Sequence, residues 1–201
     1  MATDDITLRH LSRQRVRGAP ATVPGAAGFV RDYDASELLR QTQRSLVCPI
    51  EGEITLSKLR EAFDRLAAVA ASQKLKVTGD PFYVVKADPT TIVPHKREHE
   101  VSLPVRGEAK EEDGVKPSRL EGGYYIVSST GGGLADLENL YTWLFGKFLP
   151  ARKHELARPY LLHRLVVAGG AASPPTIEVQ VPATLSIKPA RAAGAGGDEV
   201  A

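Results

Sequence analysis

Apolar residues in the second half of the chain recur at the spacing of an amphipathic helix. A strand is predicted over 118–130, and the glycine triplet 131–133 closes it before the helix begins. Pro150 is expected to end the helix, and two more strands follow over 159–167 and 176–183. The helical stripe occupies positions i, i+3, i+4, i+7 and i+11, namely Leu137, Leu140, Tyr141, Leu144 and Phe148.

The first half shows the same order of patterns. A helix is predicted over 55–72, followed by strands over 81–87 and 99–105. The strand that opens this unit is assigned to 6–23. Residues 25–55 then form an insertion, with a short helix around "DASELLRQT".

A constant separation of 78 positions relates the two halves, which indicates an internal repeat. Glu100 in "HEVSLPV" falls on Glu178 in "IEVQVPA". Further matched positions are Val101 with Val179, Pro104 with Pro182, Phe82 with Tyr160, Leu59 with Leu137, and Leu66 with Leu144.

The repeat predicts an α+β fold of two tandem strand-helix-strand-strand modules with antiparallel sheets around a central ligand groove. The first module would span 1–107 with the insertion 25–55, and the second 108–185. The Gly- and Ala-rich tail 186–201 is expected to be disordered. Two such units side by side leave a concave seam, which is a natural ligand site.

Strand alternation places two carboxylates at this seam. Ile177 and Val179 point to one face of their strand, whereas Glu178 and Gln180 point to the other, and Glu100 obeys the same rule in the first half. Solvated strand residues are the alternative for both acids, and we favour it for Glu100. A carboxylate walled by aromatic rings suits a ligand with delocalised positive charge.

Aromatic side chains supply the other candidates for the groove. Trp143 lies off the helical stripe, so it lines the pocket, forms a subunit interface or packs in the core. Tyr141 lies on the stripe and is favoured as a core residue. Tyr124 and Tyr125 face opposite ways, so one of them leaves the core. The remaining candidates are Phe82, Tyr160 and His163, of which the last is most simply a strand residue that could approach the seam.

Composition narrows the classes of protein to consider. The net charge of +2 does not favour a nucleic-acid partner, and no apolar run is long enough to span a membrane. The start carries no pattern of a secretory leader, and the single Cys48 excludes an intramolecular disulfide, so we expect a cytoplasmic protein. His95 and His99 lack a third ligand at metal spacing, and no nucleotide-binding motif is present, so no metal or cofactor is expected.

The stretch "RLEGGYYIVSSTGGGLADLENLYTWL", the segment "GDPFY" and the closing "TIEVQVP" resemble the GyrI-like family. That family also supplies effector-binding domains of bacterial MerR- and AraC-type regulators. The resemblance covers about 5–24 and 56–183, and it implies two modules around a groove for bulky, often cationic aromatic compounds. It carries the role of the acid that reads the ligand's charge onto Glu178. A second acidic position of the family has no counterpart here, because 159–163 reads "PYLLH".

The resemblance leaves two functions open. The first is a freestanding multidrug- or toxin-binding module, since no helix-turn-helix pattern remains in the sequence. The second is a hydrolase that opens the cyclopropane ring of DNA-alkylating natural products and so protects its host. In that reaction Glu178 would activate water and a tyrosine such as Tyr141 would steady the developing phenolate. A homodimer is left open.

Overall fold

The computed structural model describes residues 32–166 and 176–185. The first strand predicted over 6–23 and the tail 186–201 lie outside these residues. The strands are β1 (Ala35–Arg40), β2 (Gln43–Ile50), β3 (Lys76–Val77), β4 (Phe82–Lys86), β5 (Glu98–Arg106), β6 (Lys116–Leu120), β7 (Gly123–Ser129), β8 (His154–Leu156), β9 (Leu161–Val166) and β10 (Thr176–Leu185).

The first helix, α1, spans Leu56–Ser72 and confirms the prediction from periodicity. Its N-terminus is capped by Thr55, whose hydroxyl accepts the amide hydrogen of Lys58 at 3.3 Å. A stripe of buried residues packs α1 against β2 and β5, and its members are Leu59, Leu66, Val69 and Ala70.

The second helical segment is built from four short pieces. A 3₁₀ turn (Gly133–Asp136) leads into α2 (Leu137–Trp143), a π-helical stretch (Leu144–Phe148) and a last turn, α3 (Leu149–Ala151). Pro150 lies in that last turn, so the helix ends one residue beyond the predicted stop. The predicted stripe is buried apart from Phe148, which is half-buried. A shorter 3₁₀ turn, Pro94–Lys96, precedes β5.

Ten antiparallel strands pair in the order β1-β7-β10-β9-β4-β5-β2-β6, with β3 and β8 added beside β5 and β10. At the centre Val84 of β4 lies opposite Leu162 of β9. These two residues are themselves 78 positions apart. The same offset converts the pair on one side, Tyr83 with His163, into the pair on the other side, Val85 with Leu161. A pseudo-two-fold axis therefore passes between Val84 and Leu162. The predicted α+β class with antiparallel sheets is confirmed.

The separation of 78 positions also holds within part of the segment 25–55, which was predicted to be an insertion into the repeat. At the same separation β2 corresponds to β7, and β1 overlaps with β6 in sequence position. The short helix predicted around "DASELLRQT" is wrong, because residues 35–40 form β1 and pair with β7 along its whole length. Part of the predicted insertion 25–55 therefore supplies strands of the sheet. The division into modules at 107 and 108 stays a prediction.

The two outermost strands, β1 and β6, each continue directly into a strand at the opposite end of the pairing order. β1 continues into β2 across 41–42, and β6 into β7 across 121–122, so the predicted single strand 118–130 is two strands. The two continuations meet at Gly122, whose amide donates to the Thr42 hydroxyl at 2.9 Å. A Cβ on Gly122 would lie 2.6 Å from the Thr42 nitrogen and 2.8 Å from the Arg40 carbonyl oxygen. Only glycine allows so close a backbone approach.

The sheet has two unlike faces. One face, the helix side, packs under α1 and α2 and holds most of the buried apolar residues. The other, which we call the groove face, carries a smaller cluster made of Phe82, Val84, Leu120, Tyr125 and Leu162, with Tyr160 packed against it. Because β6 and β7 contribute to this cluster together with the central β4 and β9, the sheet rolls around it.

Candidate functional site

The floor of the groove face is apolar and lies on the pseudo-two-fold axis. Val84 and Leu162 form the centre, where they are 4% and 0% exposed. Strand alternation brings Phe82 to the same face of β4, and Tyr125 reaches it from β7. Polar side chains surround this floor on the neighbouring strands.

Glu178 is held by two donors on the groove face. Arg164 of β9, its direct cross-strand partner, donates to Oε2 at 2.9 Å, and Gln180 donates from Nε2 to Oε1 at 2.7 Å. Arg164 also reaches Asp80 at 3.4 Å. Burial opposes the charge on Arg164, but its bonds to Glu178 and Asp80 outweigh this effect and raise the pKa of the guanidinium. The negative charge of Glu178 is therefore balanced by Arg164, while Gln180 supplies a further hydrogen bond.

Arg40 closes this polar chain at the end of β1. Its Nη1 donates to Oε1 of Gln180. The guanidinium carbon lies 4.6 Å from the ring centroid of Phe82 and 5.8 Å from that of Tyr125. Both distances suit cation–π contact. Burial lowers the pKa of Arg40, and the more distant Glu178 offsets only part of that effect.

Two tyrosine hydroxyls and a second arginine form another chain beside Arg40. Tyr125 donates to the carbonyl oxygen of Glu121 at 2.7 Å, so its oxygen accepts the hydrogen of the Tyr160 hydroxyl at 2.8 Å. Arg158 donates to the Gly122 carbonyl at 2.9 Å and lies 3.5 Å from the Tyr160 oxygen. This chain ties the strand junction at Gly122 to the edge of the groove.

The first half carries a simpler version of the same site. Lys86 forms an ion pair with Glu100, at the positions that correspond to Arg164 and Glu178. Ser102 stands where Gln180 stands in the second half. The hydroxyls of Ser102 and Ser45 are buried and have no hydrogen-bond partner among the described residues. This end of the groove face therefore has unused polar atoms.

Five of the predicted site residues lie on or at the edge of the groove face. They are Glu178, Glu100, Phe82, Tyr125 and Tyr160. The other four candidates, Tyr141, His163, Trp143 and Tyr124, lie on the helix side and do not line the groove face. For Tyr141 this is the core position that the stripe favoured, and for Trp143 it is one of the three positions left open.

Tyr141 and His163 bind each other in the core. The Tyr141 hydroxyl donates to His163 Nε2 at 2.6 Å, and His163 Nδ1 donates to the Tyr83 carbonyl at 3.1 Å. Burial lowers the pKa of His163 to about 3, so the imidazole is neutral. Strand alternation sends His163 to the face opposite Leu162, which is why it cannot approach the groove.

Trp143 and Tyr124 also serve the core on the helix side. The Trp143 indole donates to Asp32 at 3.2 Å and packs on Tyr33 and Phe148. Of the pair Tyr124 and Tyr125, it is Tyr125 that faces the groove, whereas Tyr124 packs near His154.

Sequence reasoning missed Arg40, Arg158 and Arg164. Arg164 follows the alternation that Leu162 sets along β9, so the strand pattern contained the signal. Arg40 gave no such signal, because its segment was assigned to a helix and its partners are 42 and 85 positions away in Phe82 and Tyr125.

Two features are absent from the residues that the structure describes. No helix there combines the length and apolar character that crossing a membrane requires. Nor do three or more His, Cys, Asp or Glu side chains gather into a group that could hold a metal ion in 32–166 and 176–185.

Residues 43–183 match the family model described as the GyrI-like small molecule binding domain. The fold is similar to the crystal structure of the EcmrR C-terminal domain, with 12% identity and a TM-score of 0.63 over 76% of this chain and 98% of that chain. An EcmrR chain in a cryo-EM complex with DNA is also 12% identical, with a TM-score of 0.62 over 75% of this chain and 57% of that one.

A hydrolase encoded by lin2189 from Listeria innocua is 10% identical, with a TM-score of 0.52 over 75% of this chain and 91% of that chain. No curated protein matches the sequence. At such low identity these solved structures show a shared fold and nothing of a shared function.

Proposed function

Because this chain belongs to the GyrI-like family of small-molecule-binding domains, we propose that it binds bulky lipophilic aromatic compounds on its groove face. The floor made by Val84 and Leu162 would receive the apolar body of the ligand. Tyr160 and Arg40 are partly exposed at the edge of the floor, and a ligand would enter by displacing them.

The observation that carries this proposal is the stacking of Arg40 on Phe82. A planar, delocalised group already lies 4.6 Å from this aromatic ring, on the face that no helix of residues 32–166 and 176–185 covers. The ring faces of Phe82 and Tyr125 therefore accept flat partners, and an aromatic ligand offers a similar surface with more apolar area to bury.

The role of Glu178 in this proposal differs from the expectation that it reads a cationic ligand. Both of its oxygens are engaged, one with Arg164 and one with Gln180. A cationic ligand would have to replace a resident guanidinium. We therefore assign Glu178 the task of orienting Arg164 and Gln180, and we base the ligand class on shape and aromatic character.

The hydrolytic alternative receives no support from the geometry of these residues. A general base must hold a water beside the substrate, but each oxygen of Glu178 is directed at a neighbouring side chain, one at Arg164 and one at Gln180, and no residue of the site is placed to orient a water there among the described residues. Tyr141, the tyrosine suggested for the phenolate, is buried on the other side of the sheet.

Isothermal titration calorimetry with triphenylphosphine oxide, an uncharged three-ring compound, tests the proposal. We expect saturable binding that weakens about tenfold in Tyr160→Ala, because a ring at the groove edge is lost. The matched control is Phe63→Ala, which removes a half-buried aromatic ring of α1 on the helix side and should leave the affinity unchanged. Absence of saturable binding, or an equal loss in both variants, would overturn the proposal.

A further inference from the structure

Three arginines lie at or near the aromatic floor of the groove face, and only one of them forms an ion pair among the described residues. Arg40 lies over the ring of Phe82, and Arg158 lies beside the Tyr160 hydroxyl. Arg164 binds Glu178 on the neighbouring strand. The carboxylates in ion-pair contact with these arginines are Glu178 and the exposed Asp80, and both bind Arg164. In the first half, Lys86 and Glu100 neutralise each other.

Two of the three arginines have no carboxylate within ion-pair distance in the part of the chain that the structure describes. Arg40 contacts a neutral amide and two ring faces. Arg158 contacts a carbonyl and a tyrosine hydroxyl, and Glu121 attracts it only from longer range. A partly buried guanidinium without a counter-charge gains more from an added anion than a paired one does.

Arg40 is the better placed of the two to meet a ligand. It lies against the aromatic floor, whereas Arg158 points toward the strand junction at Gly122. Once the aromatic body of a ligand displaces it from the floor, the planar guanidinium can stack on a ring of the ligand and at the same time bind an anion through its N–H groups. Burial disfavours its charge when it stands alone, and a bound anion would relieve that penalty.

We propose that the groove face selects aromatic compounds that carry a negative charge, and that Arg40 recognises this charge. The inference rests on the proposed function, because it assumes that aromatic compounds bind on this face. Anionic aromatic ligands are opposite in charge to the cationic ligands that the sequence led us to expect from Glu178.

Two probes of nearly the same shape and opposite charge test this selection. Tetraphenylborate is an anion and tetraphenylphosphonium a cation, each with four phenyl rings, and triphenylphosphine oxide serves as the uncharged reference. The dissociation constants of all three are measured by calorimetry on the wild type, Arg40→Met and Arg119→Met. Methionine keeps much of the arginine's length but removes its charge. Arg119 is exposed, so its replacement controls for the change in net charge.

We expect the ratio of anion to cation affinity to fall about tenfold in Arg40→Met and to stay within about twofold of the wild type in Arg119→Met. Using the change in this ratio removes any intrinsic difference between the probes. An unchanged ratio in Arg40→Met, or tighter binding of the cation than of the anion by the wild type, would overturn the inference. In either case the proposed function would still stand if the neutral compound binds. If no probe binds, the proposed function fails and this inference with it.

Discussion

The two halves of the sheet share a backbone but differ in what their groove-facing side chains do. In the first half Glu100 pairs with Lys86, and the polar chain stops there. In the second half Glu178 links Arg164 to Gln180, and Gln180 extends the chain to Arg40 on β1. The two halves therefore share one frame, and the different residues at matched positions link the polar groups of the second half into a chain.

Part of this difference follows from the cation at the matched position, which is Lys86 in the first half and Arg164 in the second. The lysine of the first half is a compact charge on a flexible stem, and its side chain is 48% exposed. The arginine of the second half is planar and binds Glu178 and Asp80 at once, with 31% exposure. Such a group holds a carboxylate in a fixed orientation better than lysine does. The polar groups of the second half are accordingly joined by more contacts than those of the first.

The most damaging way to disturb the junction between the halves is at Gly122. Gly122→Ala would force a Cβ against backbone atoms of Thr42 and Arg40, which cannot move without breaking the sheet. We expect the free energy of unfolding to fall by about 3 kcal/mol, as for severe overpacking. Urea denaturation followed by circular dichroism measures this change.

Gly146→Ala is the matched control, since a Cβ there meets no atom within 4 Å. It should leave stability unchanged or raise it slightly. Equal losses in the two variants would show that the close approach at Gly122 is not what constrains the junction.

The second prediction compares His163 with Val85, which stands at the matching position of the first half. His163 has a pKa of about 3 in the folded protein because it is buried, against about 6.5 in the unfolded chain. The unfolded state therefore binds more protons between these values, and stability is lost as the pH falls below about 6.5. From pH 7 to pH 5 the loss from this residue is about 2 kcal/mol.

His163→Val, which copies the first half, removes this contribution. The variant should be less stable at pH 7, because Tyr141 loses its acceptor, but its stability should fall less on acidification by about 2 kcal/mol. Urea titrations at pH 5, 6 and 7 provide the slopes. Parallel slopes for the wild type and the variant would contradict a neutral, buried imidazole.

The third prediction compares the two matched carboxylates, and its Glu100 member has the smallest expected effect. Glu178→Gln should lower the free energy of unfolding by about 2 kcal/mol, because Arg164 is left in a partly buried site with only the exposed Asp80 as its partner. Glu100→Gln should lower it by less than about 1 kcal/mol, since half of Lys86 is exposed and water can replace the carboxylate. A larger loss in Glu100→Gln would reverse the ranking of the two ends.

Much of the fold was predictable because its elements have strong local patterns. The helix over 55–72 and the strand around Glu178 follow their apolar periods closely, and the structure places them within a few residues of the prediction. β1 was missed because "ASELLR" has no clear alternation, and its strand conformation depends on pairing with β7. Tertiary pairing overrode a weak local preference.

The candidate site was predictable only where alternation decides the direction of a side chain. That rule placed Glu178 on the face where the structure has it, and in retrospect it also shows that His163 faces the core. It could not choose between Phe82 and Tyr83, of which Phe82 faces the groove. For Trp143 the sequence left the pocket wall, a subunit interface and the core open. The structure places it in the core, because the helix buries a wider stripe than its apolar period suggested and the indole packs between Tyr33 and Phe148. Arg40 depends on contacts between distant segments, which one sequence does not reveal.

The most direct test of ligand binding on the groove face uses neighbouring residues that point to opposite faces. Val84 and Leu162 form the groove floor, whereas Val85 and Leu161 lie next to them on the helix side. Methyl resonances of all four can be followed by NMR during a titration with triphenylphosphine oxide. We predict saturable shifts at Val84 and Leu162 that clearly exceed those at Val85 and Leu161. Larger shifts at Val85 and Leu161, or no saturable shift at any of the four, would contradict binding on this face.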